Sequence, residues 1–303
     1  MIVRTDVESA GVPYGGSAKP LPPGYHAELG DAGSVFYRYA QGPTGAPTVV
    51  LLHGWTSTAD VTWHGVFNLL SRHYSVIAPD LRGHGHGPSG SKGSRLPHVA
   101  SDVAGLIDAL GIGPVILVGY SMGGAAAQIV ARERPDLLLG MVICASASPV
   151  CSSRAGRLGS ALLRAGSMLA RPIPDLPLSL FASAVMRVLF GNSEFERWVR
   201  SRTARNIWSE VLSLGADMVS FDSRDWIGAL RVPSAVVVTT ADRFVSPHRQ
   251  HLLATSLDAP ALCVDGDHSI CLAHPVVFGE ALLQACDSVI SDLPVHEQVQ
   301  RTA

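Results

Sequence analysis

The feature that most constrains this chain is a set of six short apolar runs, at residues 48–52, 75–78, 115–118, 140–144, 235–238 and 261–264. Each is rich in Val, Ile and Leu, and none alternates with polar residues. A strand with water on one face alternates, whereas a strand covered on both faces does not, so these runs predict strands buried between two layers. Segments with helical spacing lie between them, at about 61–70, 99–110, 122–132, 247–255 and 275–286. In one of these, Asp102, Leu106 and Leu110 illustrate the spacing, and polar and apolar faces are separated. Strand–helix alternation of this kind predicts an α/β fold with a parallel sheet and helices on both sides. Two further strands are expected at 26–29 and 35–39, joined through the turn Gly30-Asp31-Ala32-Gly33 as a hairpin.

The rhythm breaks between about residues 147 and 230, where no buried strand is evident. Helical apolar patterns replace it, as Leu158, Leu162 and Leu163, then Leu180, Val185, Met186 and Leu189, then Trp198, Ile207, Trp208, Val211 and Leu212. Pro172, Pro174 and Pro177 punctuate the stretch. The expected organisation is a flexible N-terminal arm over 1–24, a core over 25–147 and 230–303, and a helical cap inserted over 148–229. Most of the apolar faces of the cap are expected to pack on the core. The polar end, about 292–303, is expected to fray.

With 303 residues, 47% of them hydrophobic and 16% charged, the chain has enough apolar surface for one large core and too little charge for wholesale disorder. A net charge of −2 gives no electrostatic reason to expect a nucleic-acid partner. Nearly all the basic residues are Arg, with Lys19 and Lys92 as the lysines, which we read as compositional bias. The five cysteines, Cys144, Cys151, Cys263, Cys271 and Cys286, are odd in number and include no CxxC pair, so they read as small buried hydrophobes rather than a disulfide framework or zinc site. The first ten residues lack the apolar run of a signal peptide. No stretch reaches the roughly 18 uninterrupted apolar residues of a membrane span, the nearest, 161–190, being broken by Arg164, Arg171 and Arg187. The expectation is a cytoplasmic protein acting on a small molecule, with no integral membrane segment, metal or cofactor, and with self-association left open.

The chemistry centres on Gly119-Tyr120-Ser121-Met122-Gly123, which fits G-x-S-x-G. The pentapeptide recurs by chance, but here it follows an apolar strand and opens a small-residue helix containing Gly124, Ala125, Ala126 and Ala127. A sharp strand-to-helix turn would lift Ser121 out of the sheet, with glycines leaving room for it. The helix N-terminus would aim N–H groups at developing negative charge. His53-Gly54-Trp55 ends the first parallel strand, so the N–H of Trp55 is expected to face the same point as that of Met122, giving two oxyanion donors. Trp55 and Tyr120 are expected at the substrate pocket, with Trp63 a further candidate. His53 reads as a buried structural histidine bracing its loop.

A serine hydroxyl needs a base. Of 12 histidines, His268 follows the strand at 261–264 directly, and Asp242 follows the strand at 235–240. Both therefore stand at C-terminal strand ends, where ligands bind in such sheets, in the chain order Ser, Asp, His. Asp80 also ends a strand, and Asp265 and Asp267 flank His268, but these are weaker candidates for the acid. His84, His86, His98 and His248 read as surface or loop histidines.

These residues resemble the α/β-hydrolase superfamily, in its esterase, lipase and carbon–carbon hydrolase branch. The carriers are His53-Gly54-Trp55, Asp80-Leu81-Arg82-Gly83-His84-Gly85, the elbow at 119–124 and the turns at Asp242 and His268. The resemblance implies an eight-stranded, mostly parallel sheet with the second strand antiparallel and flanking helices, and a cap inserted after the sixth strand. It implies Trp55 and Met122 as oxyanion donors and an acyl-enzyme carried by Ser121, His268 and Asp242. Relatives with an aspartate nucleophile, the epoxide hydrolases and haloalkane dehalogenases, are disfavoured by Ser121. The helix after the base begins Ala273-His274-Pro275, where many relatives carry Glu before the proline. The expected reaction is cleavage of a small or medium apolar carboxylic ester. Carbon–carbon hydrolysis, lactone opening, acyl transfer and cofactor-free peroxidation remain open on the same triad, as does a non-catalytic ligand-binding role.

Overall fold

A computed structural model describes residues 2–5, 20–30, 33–90, 94–149, 154–173 and 193–291. Its sheet contains the eight expected strands, β2 (Gly24–Glu28), β3 (Ser34–Ala40), β4 (Thr48–Leu52), β5 (Ser75–Pro79), β6 (Val115–Tyr120), β7 (Leu138–Cys144), β8 (Ser234–Thr239) and β9 (Ala261–Val264). A ninth strand, β1 (Ile2–Thr5), pairs antiparallel with β2, so part of the segment expected to be a loose arm extends the sheet edge. The strand order is β1-β2-β3-β5-β4-β6-β7-β8-β9. β3 runs antiparallel to both its neighbours, and all pairings from β5 to β9 are parallel. The β2–β3 hairpin closes with the N–H of Leu29 donating to the Gly33 carbonyl at 2.9 Å, while Asp31 and Ala32 lie outside the described residues.

The helices are α1 (Ala59–Trp63), α2 (Phe67–Leu70), α3 (Leu96–Leu110), α4 (Met122–Glu133), α5 (Arg154–Ala170), α6 (Glu194–Thr203), α7 (Trp208–Ser220), α8 (Pro247–Ser256), α9 (Ile270–Ala273) and α10 (Pro275–Ser291). The single helix expected near 61–70 is two short ones, parted at Gly65.

Along β4, Val50 and Leu52 join the apolar layer containing α3 and α4, and Val49 and Leu51 join the layer containing α1, α2 and α10. All four are fully buried. Successive side chains of a strand point to opposite faces, and here both faces are covered, which is why the runs do not alternate. Each such Val or Leu contributes about 1.5–3 kcal/mol relative to exposure.

Between β7 and β8 the described residues form helices and no strand. α5 lies along α7, with Ser160 donating to the Ala216 carbonyl at 2.9 Å and Ser167 to the Ser209 carbonyl at 2.7 Å. The small residues of α5 thus face α7. Leu158, Leu162 and Met168 are exposed by 63%, 64% and 66%, contrary to the expectation that such faces pack on the core. The second apolar pattern, Leu180, Val185, Met186 and Leu189, lies outside the described residues, as do Pro174, Pro177, Cys151 and 292–303. Cys144, Cys271 and Cys286 are buried, but Cys263 is exposed, because β9 is the sheet edge and its Ala261 and Cys263 face outward. No described helix is long and apolar enough to cross a membrane.

Candidate active site

Ser121 sits between β6 and α4 with φ 53° and ψ −112°, a left-handed conformation costly for a side-chain-bearing residue. Its N–H donates to the Cys144 carbonyl at 2.9 Å. The flanking glycines are there for space: a Cβ at Gly119 would stand 2.3 Å from the Gly123 carbonyl oxygen, and one at Gly123 would stand 2.3 Å from the Leu52 carbonyl oxygen. G-x-S-x-G therefore reflects backbones that pass too close for any side chain.

The loops after β8 and β9 bring the expected partners to this turn. His268 Nε2 lies 2.9 Å from Ser121 Oγ, and His268 Nδ1 lies 2.7 Å from Asp242 Oδ2. Asp242 is buried and its oxygens are fully engaged. Oδ1 accepts the N–H groups of Phe244 (2.8 Å) and Val245 (2.9 Å), and Oδ2 accepts the Thr239 hydroxyl (2.9 Å) besides His268. Burial pushes this carboxyl up, but hydrogen bonds from His268, Val245 and Thr239 outweigh it and hold the group below the ordinary carboxylate value. Gln250 from α8 locks the turn, its amide donating to Val245 O (2.7 Å) and Thr239 Oγ1 (2.8 Å) while its carbonyl accepts the Thr239 N–H (3.0 Å). Gln250 escaped the sequence reading, since a glutamine in the first turn of a helix is ordinary.

The weaker acids are occupied elsewhere. Asp80 accepts the N–H groups of Ala59 and His86, both at 2.9 Å. Asp267 accepts from Ser269, and Asp265 from Thr240 at 3.2 Å.

The His53-Gly54-Trp55 turn reaches the elbow. A Cβ on Gly54 would lie only 3.6 Å from Ser121 Cβ. As the first residue of α4, Met122 has an N–H that the helix does not use. Neither it nor the Trp55 N–H has a protein acceptor among the described residues. The Trp55 indole donates to the Val211 carbonyl of α7 at 2.7 Å and packs so closely on Gly215 that a Cβ there would stand 2.5 Å from the ring. Asn206, fully buried just before α7, donates to Thr56 O (3.1 Å) and accepts from Gly85 N–H (2.9 Å). The insertion is thus bonded directly to this turn.

His53 braces the loop as expected: Nε2 accepts the Leu81 N–H at 2.9 Å, leaving Nδ1 to donate to Gly54 O at 2.8 Å. His84 lies in a loop, one of the two readings offered for it, but not at the surface. It is 1% exposed, and its Nε2 accepts the Thr56 N–H at 3.1 Å. Burial lowers the affinity of both imidazoles for a proton, with His84 pushed down to about 3. The unfolded chain binds these protons near 6.5, whereas the folded chain binds them at lower pH, for His84 only near 3, so the unfolded state gains protons first. Stability contributed by neutral burial is complete above 6.5 and is lost as pH falls towards 3. We expect urea midpoints to decline between about pH 7 and about pH 5, by up to about 1.4 kcal/mol per pH unit from His84, with His53 acting in the same direction, before carboxylates titrate. A flat midpoint over that interval would contradict the assignment.

Tyr120 is 3% exposed and lines the site from below, its hydroxyl donating to the His268 carbonyl at 2.8 Å and its ring 5.8 Å from the imidazole. Trp63, a pocket candidate, is fully buried against Tyr120 and Phe278 and does not reach the cavity. The cavity above Ser121 and His268 has a volume of about 1060 Å³. Trp55, Val61, Leu163, Met218 and Leu272 give it apolar walls, and Phe244, 82% exposed, stands at its rim with its ring 5.4 Å from His268.

This sheet, with a serine elbow after β6 and a carboxylate and an imidazole on the loops after β8 and β9 at the same end, defines an α/β-hydrolase. The chain belongs to the alpha/beta hydrolase fold family, whose model matches residues 47–275. It is 36% identical to a non-heme chloroperoxidase of Streptomyces lividans over 40% of this chain and 44% of that protein, and the chain spans under half the length of several curated relatives it matches. A longer match, 28% identical, covers 81% of this chain and 96% of a pimeloyl-[acyl-carrier protein] methyl ester esterase of Aeromonas hydrophila. Among solved structures, a hydrolase from Pseudomonas aeruginosa superposes with a TM-score of 0.71 at 20% identity, over 84% of this chain and 96% of that one.

Proposed function

We propose that this protein hydrolyses carboxylic esters through an acyl-enzyme formed on Ser121. The observation that carries the reading is Ser121 itself, held at φ 53° with its Oγ 2.9 Å from His268 Nε2. His268 takes the hydroxyl proton as Oγ attacks the carbonyl carbon, and the imidazolium that forms is matched by the Asp242 carboxylate. The N–H groups of Trp55 and Met122 receive the oxyanion, each worth about 2.7–4 kcal/mol in the transition state. His268 then gives its proton to the departing alcohol. Water, deprotonated by the same imidazole, attacks the acyl-enzyme and releases the acid with Ser121 restored. The apolar walls suit a small or medium acyl or alcohol group, and the Aeromonas relative, matched along nearly its whole length, is named as an esterase.

The test is rapid mixing with p-nitrophenyl esters of increasing chain length. An initial burst of one nitrophenol per enzyme molecule, followed by slower turnover, is the expected result. Absence of both burst and turnover across the series would overturn the proposal.

A further inference from the structure

We propose that the substrate carries a carboxylate remote from its scissile carbonyl, and that Arg243 and Arg249 hold this group at the rim of the cavity. The inference rests on the ester-hydrolase reading above and names the class of ester.

The first observation is the charge of the lining. Arg243 and Arg249 both line the cavity, and no Asp or Glu does so among the described residues. Asp242, the nearest carboxylate in sequence, has a side chain with no exposure and lies beneath the imidazole. The fixed charge presented to an occupant is therefore positive, in a space whose other walls are largely apolar and strengthen an ionic contact.

The second is the state of these two side chains. Arg243 makes no ion pair or hydrogen bond among the described residues, although it stands next to the catalytic carboxylate in sequence. Arg249 is anchored on its outer side, one guanidinium nitrogen donating to the Pro149 carbonyl at 3.3 Å. One arginine is fixed at the rim, and the other has its donors uncommitted. Both fit a carboxylate, which accepts two parallel N–H bonds. Ser246, the N-cap of α8, lines the same rim and makes no side-chain capping bond, and the positive end of that helix adds to the attraction.

The third observation is independent of the arginines. Ser146 is 1% exposed, lines the cavity, and its hydroxyl has no hydrogen-bond partner among the described residues. A buried hydroxyl without a partner is costly, so the occupant that suits this cavity brings polar atoms inside it. A plain hydrocarbon ester brings no anion to the Arg243 guanidinium, and an ester with a second, ionised carboxyl group does.

The test uses two matched ester pairs. One places the charge on the acyl part, p-nitrophenyl hexanoate against the mono-p-nitrophenyl ester of adipic acid. The other places it on the alcohol part, butyl hexanoate against the hexanoyl ester of 4-hydroxybutanoate. In one pair the charged member should show a kcat/KM about tenfold higher, carried by KM and reduced by added salt. Arg243→Gln and Arg249→Gln should each shrink that charged-to-neutral ratio, the double variant should bring it close to one, and Arg243→Lys should keep part of it. Equal or poorer turnover of the charged member in both pairs, with the neutral esters hydrolysed, overturns this inference alone. Preference that survives in the double variant also overturns it. Failure to cleave any of the four esters removes the hydrolase reading and this inference together.

Discussion

Replacing Ser121 by Ala should lower kcat by a factor on the order of 10⁶ while leaving a folded protein. The loss is large because the hydroxyl is the atom that the imidazole, itself paired with the Asp242 carboxylate, is placed to deprotonate, so its removal idles both. What remains is the binding and oxyanion stabilisation available to a water molecule, typically about 10³–10⁴-fold over solution. The fold should survive because Ser121 Oγ bonds only His268 among the described side chains, whereas the turn is held by the backbone bond from Ser121 to Cys144. A glycine at 121 would relieve the left-handed strain and should raise stability by about 1 kcal/mol or more, with activity equally lost. Steady-state rates and thermal melts on the two variants check both statements. An S121A protein with a rate within tenfold of the parent would place the nucleophile elsewhere.

Asp242→Asn should lower kcat by about 10⁴-fold with little change in structure. The reason lies in how the carboxylate is bonded. Oδ1 accepts two backbone N–H groups, so the asparagine oxygen must stay there. The amide nitrogen is then placed where Oδ2 was, 2.7 Å from His268 Nδ1. Two donors cannot face each other, so the imidazole must move its proton to Nε2, the atom that has to accept from Ser121. The charge that balances the imidazolium is lost as well. Rates of ester turnover across neutral pH measure the effect, and a loss smaller than tenfold would contradict the role given to Asp242.

The layers of this fold were legible because burial on both faces writes itself into composition: the apolar runs matched β4 to β9, and the turns after β6, β8 and β9 followed. Ser121, Asp242 and His268 were found by position at strand ends, and the structure brings all three into hydrogen-bond contact. What stayed hidden depends on distance in sequence. Nothing near His84 says that Thr56, 28 residues away, donates to it, so the histidine read as a surface or loop residue and its burial was not foreseen. Gln250 and Asn206 are polar residues in helical or loop stretches, and only tertiary contact reveals that one locks the Asp242 turn and the other ties the insertion to the Trp55 loop. The leucines of α5 read as a core face because periodicity reports that a helix has an apolar side, not what that side meets. β1 is too short to show a period, and its pairing with β2 is fixed by the neighbouring edge.

The measurement that bears most directly on the central claim is labelling with a fluorophosphonate, followed by digestion and mass spectrometry of the adduct. A serine activated by a paired imidazole attacks phosphorus, and an ordinary serine does not. The expected result is a single adduct on the peptide bearing Ser121, absent after His268→Ala and slowed in Asp242→Asn. An adduct on another serine, or a folded protein that takes no label at all, would contradict the assignment of Ser121, His268 and Asp242 as one catalytic unit.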